Sequence, residues 1–365
     1  MAKTKDELQA EALHAIGKQS DVSVEIGTGG GKTLLGLKHM ASNYNDSISY
    51  LVAAPKLSIQ KEWINQATQH GYDYLISSIV FTTYRSLVKQ DLRHDWLYLD
   101  ECHSLKYSHT EWLDCYLTTG GKILGLTGTY PKYKSSEKAE MCNNYCRKIF
   151  EYDVDNAIED GLLNDYKIYI HLLKLGTGHT VIKKGKQGKV WKTSEQKDYA
   201  YYCNALTVAS GKSSQILRIM RMKAIQGYPS KLEYVKQILK KIDSKTLIFA
   251  NTKAQADEIC PHSYHSSNKN SEENLQLFAD DKIYRLSCVE QLSEGKNINN
   301  LRTGIIMHAY SNEVKTRQKI GRFLRLNPNQ TATVHILCYE NSVDFEWVSK
   351  ALQSFDKNKI KFYRP

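Results

Sequence analysis

The chain has 365 residues, 41% of them apolar and 24% charged, which suits two or three globular domains with real cores. Its formal charge is +11, from 50 basic and 39 acidic residues, a balance that favours a polyanionic partner. No stretch reaches the ~18 apolar residues of a membrane span. Met1 to Gln19 lack a signal peptide's apolar core, and the eight scattered cysteines read as reduced thiols, so a cytoplasmic location is expected.

Short β-rich runs alternate with helical patterns, the rhythm of parallel α/β domains. In the first half, strands are expected at Val22–Ile26, Ile48–Ala53, Ile79–Thr82, Trp96–Leu99 and Ile123–Leu126. In the second half they are expected at Tyr166–Leu173, Thr246–Ala250, Ile283–Ser287, Gly304–Met307 and Val334–Cys338. Leu232, Val235, Leu239 and Ile242 follow helical spacing just before Thr246. The break between halves is expected near Asp160–Asn164, giving doubly wound units at 1–160 and 161–365 and a cleft suited to a ligand.

The first strand runs into Gly27-Thr28-Gly29-Gly30-Gly31-Lys32-Thr33, followed by the apolar-periodic helix Leu34–Met40. Strand, glycine loop and helix form the context of a phosphate-binding loop. Glycines let backbone N–H groups reach phosphate oxygens, and the helix N-terminus adds partial positive charge. Lys32 can reach the β- and γ-phosphates of ATP, and the Thr33 hydroxyl can ligate Mg²⁺. The strict motif wants glycine where Ile26 stands, so this is the shorter Gly-Thr-Gly-x-Gly-Lys-Thr form.

Trp96–Leu99 ends in Asp100-Glu101-Cys102-His103. A carboxylate at the C-terminal end of a buried strand suits Asp100 to Mg²⁺, while Glu101 can orient and deprotonate an attacking water. Leu126-Thr127-Gly128-Thr129 closes the next strand. The hydroxyls of Thr127 and Thr129 suit a loop that bonds the acidic box and senses the nucleotide.

The order of these motifs resembles superfamily 2 helicases over nearly the whole chain. Gln9 looks like the adenine-reading glutamine. Leu51–Lys56 with Gln60 and Trp63, Phe81–Tyr84, Asp100–His103 and Leu126–Thr129 look like motifs Ia, Ib, II and III. Thr246–Thr252, Leu292–Ile298 and Gln318–Arg325 look like motifs IV, V and VI. The resemblance implies two RecA-like domains in tandem, hydrolysis of ATP with Mg²⁺, and a nucleotide contact from Gly295. The Thr-Gly-Thr and Gln-x-x-Gly-Arg-x-x-Arg spellings favour the branch with phage branch-migration helicases, restriction-enzyme motor subunits and Snf2-type translocases. That branch implies DNA, duplex or branched, as partner, a monomer, work in DNA repair or recombination, and a bacterial or phage-infected host cell. The Asp-Glu-Cys-His spelling also occurs in double-stranded-RNA sensors, so an RNA-stimulated ATPase is the alternative. A non-catalytic nucleotide-binding scaffold is a third reading, opposed by the presence of every catalytic residue type.

In motif VI, Arg322 and Arg325 stand three apart, which on a helix puts both on one face. Together with Gln318 they are expected to clamp the γ-phosphate and stabilise the phosphoryl transition state. The resemblance gives Pro55, Lys56, Thr82, Thr83, Asn251, Thr252 and Ser293 as phosphate-backbone contacts. Gly176–Lys192 reads as a two-stranded ribbon with five lysines and no acid. Lys183, Lys184 and Lys186 are expected to meet DNA there, with Trp191 stacking on a base or packing beneath. Cys142-x-x-x-Cys146 and Cys260-x-His262-x-x-His265 are discounted as zinc sites, because the spacings are irregular and each needs further ligands.

Overall fold

The computed structural model describes every residue except 1–2, 28–29, 132–135, 186–187, 290–297, 299–300, 311–312, 325–330 and 354. Two compact units divide the chain, Met1–Asn164 and Asp165–Pro365.

Unit one opens with α1 (Lys5–Ile16), started by a reciprocal cap in which the Thr4 hydroxyl accepts from Glu7 N and the Glu7 carboxylate accepts from Thr4 N. Next come β1 (Val22–Ile26), α2 (Lys32–Ser42), β2 (Tyr50–Ala54), α3 (Ile59–Gln69), β3 (Ile79–Thr83) and the short α4 (Tyr84–Leu87). They are followed by β4 (Trp96–Asp100), α5 (Thr110–Thr118), β5 (Lys122–Thr127), α6 (Glu137–Tyr145), β6 (Arg147–Tyr152) and α7 (Val154–Glu159). The sheet order is β3-β2-β4-β5-β1-β6, parallel throughout.

Strands β1, β2 and β4 are buried at every position, as parallel strands covered on both faces must be, and that is why they read as continuous apolar runs. Sequence reasoning missed β6. It lies at the sheet edge, three of its six residues are charged, and only Tyr152 is buried. Because β5 lies between β1 and β4, the C-terminal ends of these three strands sit side by side. Asp100 is in register with Leu126, and Thr127 with Glu25. Three loops distant in sequence therefore share one sheet edge, where open parallel sheets place ligands.

Unit two begins with β7 (Asp165–Leu173), the ribbon β8 (Val181–Lys184) and β9 (Val190–Thr193), then α8 (Glu195–Val208), α9 (Gly211–Gly227) and α10 (Pro229–Leu239). It continues through β10 (Thr246–Phe249), α11 (Lys253–Ile259), β11 (Ser263–Tyr264), α12 (Ser271–Ala279), β12 (Arg285–Cys288) and β13 (Thr303–Ile306). The last elements are α13 (Glu313–Phe323), β14 (Thr331–Tyr339), α14 (Val343–Ala351) and β15 (Ile360–Tyr363). The sheet order is β11-β12-β10-β13-β14-β7-β15, again parallel, and β8-β9 is a separate antiparallel ribbon.

Pro229 starts α10, where its fixed φ and missing N–H cost nothing. Leu232, Val235 and Leu239 bury the apolar face expected of that helix, but Ile242 lies beyond its end at Leu239. Lys231 on α10 is fully buried and paired with the fully buried Asp344 on α14, and its ammonium is 3.3 Å from His308 Nδ1. The pair α8–α9 was not foreseen, because the apolar residues of α9 do not gather on one buried face. Of its seventeen residues only Ile225 and Gln226 are buried.

Candidate nucleotide site

The phosphate loop follows β1. Gly27 N–H is engaged, donating to Tyr152 O at 3.1 Å, and Gly30 N–H donates to Gly27 O. The first bond of α2 is Leu35 N–H to Gly31 O. The amides that open the helix, at Lys32, Thr33 and Leu34, are then the donors a phosphate would meet. Glycine is obligatory at two positions. A Cβ on Gly30 would lie 2.3 Å from Ile26 Cγ2, and one on Gly31, whose φ is +81°, would lie 2.4 Å from Gln9 Nε2. Gln9 is buried and donates to Gly31 O at 3.3 Å, so the expected adenine reader is packed onto the loop itself. Thr28 and Gly29 lie outside the described residues.

Asp100 ends β4 and is buried. Its Oδ2 accepts from the Trp63 indole N–H at 3.0 Å, and its carbonyl accepts from the Tyr84 hydroxyl at 2.9 Å. Trp63 also packs tightly over α2, where a Cβ on Gly36 would come 2.5 Å from its ring. The indole thus braces the acidic strand against the phosphate-loop helix. Sequence reasoning placed Trp63 in a motif without giving it this role.

Glu101 takes φ 54°, ψ 57°, a left-handed conformation costing a non-glycine residue about 1 kcal/mol or more. The strain turns its carboxylate toward three partners. Lys32 Nζ is 3.9 Å away, His103 Nδ1 is 3.3 Å away, and the Thr127 hydroxyl donates at 3.3 Å. Thr127 Oγ1 also lies 2.9 Å from His103 Nδ1 and accepts from Thr129 N at 3.1 Å.

Burial raises the Asp100 pKa, and the neighbouring Glu101 charge adds to that. Burial also pushes Glu101 up, but Lys32, His103, the Gly128 amide and the Thr127 hydroxyl together hold it below its usual range. Burial lowers the His103 pKa, so its ring is neutral at pH 7. The two adjacent carboxylates therefore divide their tasks, with Glu101 the more firmly ionised.

In unit two, Arg322 is buried on α13, Gln318 is half-buried, and Arg325 lies outside the described residues. The helix ends at Phe323, so the helical face expected to carry both arginines is described only as far as Arg322. Gly295 and Ser293 also fall outside the described residues.

The expected nucleic-acid contacts fare unevenly. Lys56 is exposed, Pro55 and Thr83 are half-buried, but Thr82 is buried within β3, so its hydroxyl is not a surface group. The Thr252 hydroxyl accepts from Gln255 N as the cap of α11, and Asn251 N–H donates to the Gln255 side chain. Thr252 is thus committed first to starting a helix. Lys184 is exposed and Lys186 lies outside the described residues. The ribbon itself holds no acid, but Lys183 is neutralised by one from α8. It pairs with Asp198 at 2.8 Å and reaches the Tyr202 hydroxyl at 3.3 Å, docking the ribbon on α8. Trp191 sits opposite Lys183, is 45% exposed, and covers Gly185.

Cys142 and Cys146 are joined by Cys102 of the acidic box, their sulfur atoms within 4.8 Å of one another in the core. Among the described residues no fourth His, Cys or carboxylate ligand joins them, and Cys260, His262 and His265 form no such group. A closed tetrahedral zinc site needs four ligands.

Residues 230–327 match the helicase conserved C-terminal domain. No curated protein matches the chain in sequence. Among solved structures, the chain is similar to the ATP-dependent Type ISP restriction-modification enzyme LlaBIII bound to DNA. The TM-score is 0.65 with 13% identity, over 100% of this chain and 31% of that one. It is also similar to a fragment of a putative HsdR subunit of a type I restriction enzyme from Vibrio vulnificus (TM-score 0.61, 14% identity, 99% of this chain and 67% of that one). A third likeness is to the Hef helicase domain of Pyrococcus furiosus (TM-score 0.53, 13% identity, 97% and 100%). The chain thus spans about a third of the first of these proteins and about two thirds of the second.

Both units are parallel α/β domains of RecA-like fold, in tandem along the chain as in the solved Hef helicase domain. The match to the helicase conserved C-terminal domain falls within unit two.

Proposed function

We propose that this protein is a nucleic-acid-dependent ATPase that translocates on or remodels DNA, duplex or branched. One observation carries the reading: the phosphate loop, Asp100, Glu101 and Thr127 meet at one sheet edge with Lys32 beside the carboxylates. The residues fit MgATP. The first bond of α2 leaves the Lys32, Thr33 and Leu34 amides for phosphate, Gly30 and Gly31 hold a turn in which any Cβ would collide with Ile26 or Gln9, and Asp100 and Thr33 offer the hard oxygen donors that Mg²⁺ prefers.

In this reading the amides opening α2 and the Lys32 ammonium bind the β- and γ-phosphates, while Thr33 and Asp100 hold Mg²⁺. The metal would neutralise charge on the phosphates. Glu101, ionised and steered by Thr127, accepts the proton of the attacking water. Once Lys32 turns to phosphate, Glu101 loses a stabilising charge and becomes a better base. Arg322 and Arg325 of unit two supply positive charge to the transition state, which ties hydrolysis to motion between domains.

DNA is favoured over RNA by the Thr-Gly-Thr and motif VI spellings and by the likeness to restriction motors, one of which is solved bound to DNA. The test is ATPase stimulation by single-stranded, duplex, forked and four-way DNA alongside single- and double-stranded RNA. Stimulation chiefly by DNA supports the reading. Stimulation by RNA alone would assign the RNA-sensor type of activity, and stimulation by neither would refute a nucleic-acid motor.

A further inference from the structure

The positive charge of this protein is not spread evenly. Residues 174–227 hold eleven lysines and arginines and two carboxylates, a net +9 of the chain's +11. This segment is the ribbon β8–β9 with the helices α8 and α9, inserted between the first strand of unit two and α10.

Both of its carboxylates are used internally. Glu195 is buried and accepts from Gly176 N, Ser230 N and the Ser230 hydroxyl, fastening the insert to the start of α10. Asp198 is buried and accepts from Lys183 and the Tyr228 hydroxyl. No carboxylate of the segment is left to offset the exposed Lys184, Lys189 and Lys192 of the ribbon or Lys212 and Lys223 of α9. Arg221 is turned inward over the Tyr199 ring, and Arg218 lines a pocket with Glu346, so neither is counted among them.

The same segment exposes apolar side chains that unit two leaves uncovered. Trp191 is 45% exposed, Tyr201 63%, Ile216 58% and Ile219 49%. Exposed apolar groups interleaved with basic ones on one open face have the composition of an interaction surface.

We propose that residues 174–227 form a nucleic-acid-binding arm, distinct from the helicase motifs. It grips the phosphate backbone through Lys184, Lys189, Lys192, Lys212 and Lys223, with Trp191 and Tyr201 as base-stacking platforms. The proposal rests on the motor reading and adds to it the element that holds the track. Ammonium groups without acidic neighbours release condensed counterions on meeting phosphates, and exposed aromatic rings stack on bases whatever their sequence. Binding through the arm is therefore salt-sensitive and sequence-tolerant. Because it lies outside the loops that contact nucleotide, it contributes to affinity and stimulated turnover without altering basal hydrolysis.

The test uses the full chain and labelled single-stranded and duplex DNA, with affinity measured across a salt series. One variant changes Lys184, Lys189 and Lys192 to Gln, a second changes Lys212 and Lys223 to Gln, and a control changes Lys240 and Lys241. Each lost phosphate contact lowers the log–log salt slope by about 0.7–0.9. The ribbon variant is expected to lose about 2.1–2.7 units of slope and the α9 variant about 1.4–1.8, with basal ATPase and the control unchanged. Trp191→Ala should weaken single strands more than duplex. Wild-type slopes in both variants would overturn the arm while leaving the motor reading intact. A wild-type chain that binds anionic lipid vesicles but no nucleic acid would overturn both. Should one variant lose basal ATPase through misfolding, the other decides.

Discussion

His103 Nδ1 stands 2.9 Å from Thr127 Oγ1, tying the turn after β4 to the end of β5. The His103 ring is buried and neutral, so an Nδ1–H tautomer donates to Thr127 while the Thr127 hydroxyl donates to Glu101. Thr127 is thus the joint between the acidic box and the following loop. Replacing it with Val keeps the shape and removes every one of these bonds. A hydrogen bond to a charged group contributes about 1.5–3 kcal/mol, so kcat should fall about ten- to hundredfold. ATP affinity should change little and Thr127→Ser should restore turnover. Steady-state phosphate release with equilibrium ATP binding checks this, and an unchanged kcat in the Val variant would remove Thr127 from the machinery.

The arginines of unit two make a second prediction. Arg322→Ala and Arg325→Ala should each lower kcat by about two or more orders of magnitude under saturating nucleic acid, the scale of a lost transition-state arginine. Nucleotide affinity should fall far less. Wild-type kcat in either variant would exclude that arginine from the transition state.

Much of the candidate nucleotide site was legible because its strands are buried on both faces and end at chemically distinctive residues. Val22–Ile26 runs into glycines, Trp96–Leu99 into Asp100, and Ile123–Leu126 into Thr127. Of the four edge strands of the two large sheets, only β3 carries such a run. The charge-interrupted, largely unburied β6 and β15 and the two-residue β11 carry no long apolar run. Trp63 and His103 owe their roles to tertiary placement, which spacing does not reveal. Lys183 read as free because its partner Asp198 sits on α8, a helix the apolar pattern did not announce. Cys102 similarly joins Cys142 and Cys146 only through the fold.

Stability of unit two should depend on the buried pair Lys231–Asp344. Lys231→Met leaves the Asp344 carboxylate without its counter-charge in the core, and breaking such a pair costs about 3–5 kcal/mol. Removing both charges, as Lys231→Met with Asp344→Leu, should recover much of the loss. Chemical denaturation read in unit two checks this, and a single variant as stable as the wild type would contradict it.

The adjacent strands β7 and β14 set His171 Nε2 2.9 Å from His335 Nδ1. Burial lowers both pKa values to about 4, with His335 adding to the effect on His171. An unfolded histidine titrates near about 6.5, so between these values the unfolded chain binds more protons. Their contribution is fully present above about pH 6.5 and is lost as pH falls, with a limiting slope of about 1.4 kcal/mol per pH unit for each ring. Replacing both with Phe should flatten the pH dependence of the unit-two unfolding midpoint between pH 6.5 and 4.5. An identical slope in wild type and variant would contradict this origin.

Phosphate release by wild type and Glu101→Gln, with and without DNA, tests whether Glu101 is the base of a nucleic-acid-stimulated ATPase. The carboxamide keeps the shape of the side chain but cannot take the water's proton. DNA should stimulate release in the wild type, and the variant should still bind ATP and DNA yet turn over at least about a hundredfold more slowly. Near-normal turnover in Glu101→Gln, or a wild type indifferent to nucleic acid, would contradict it.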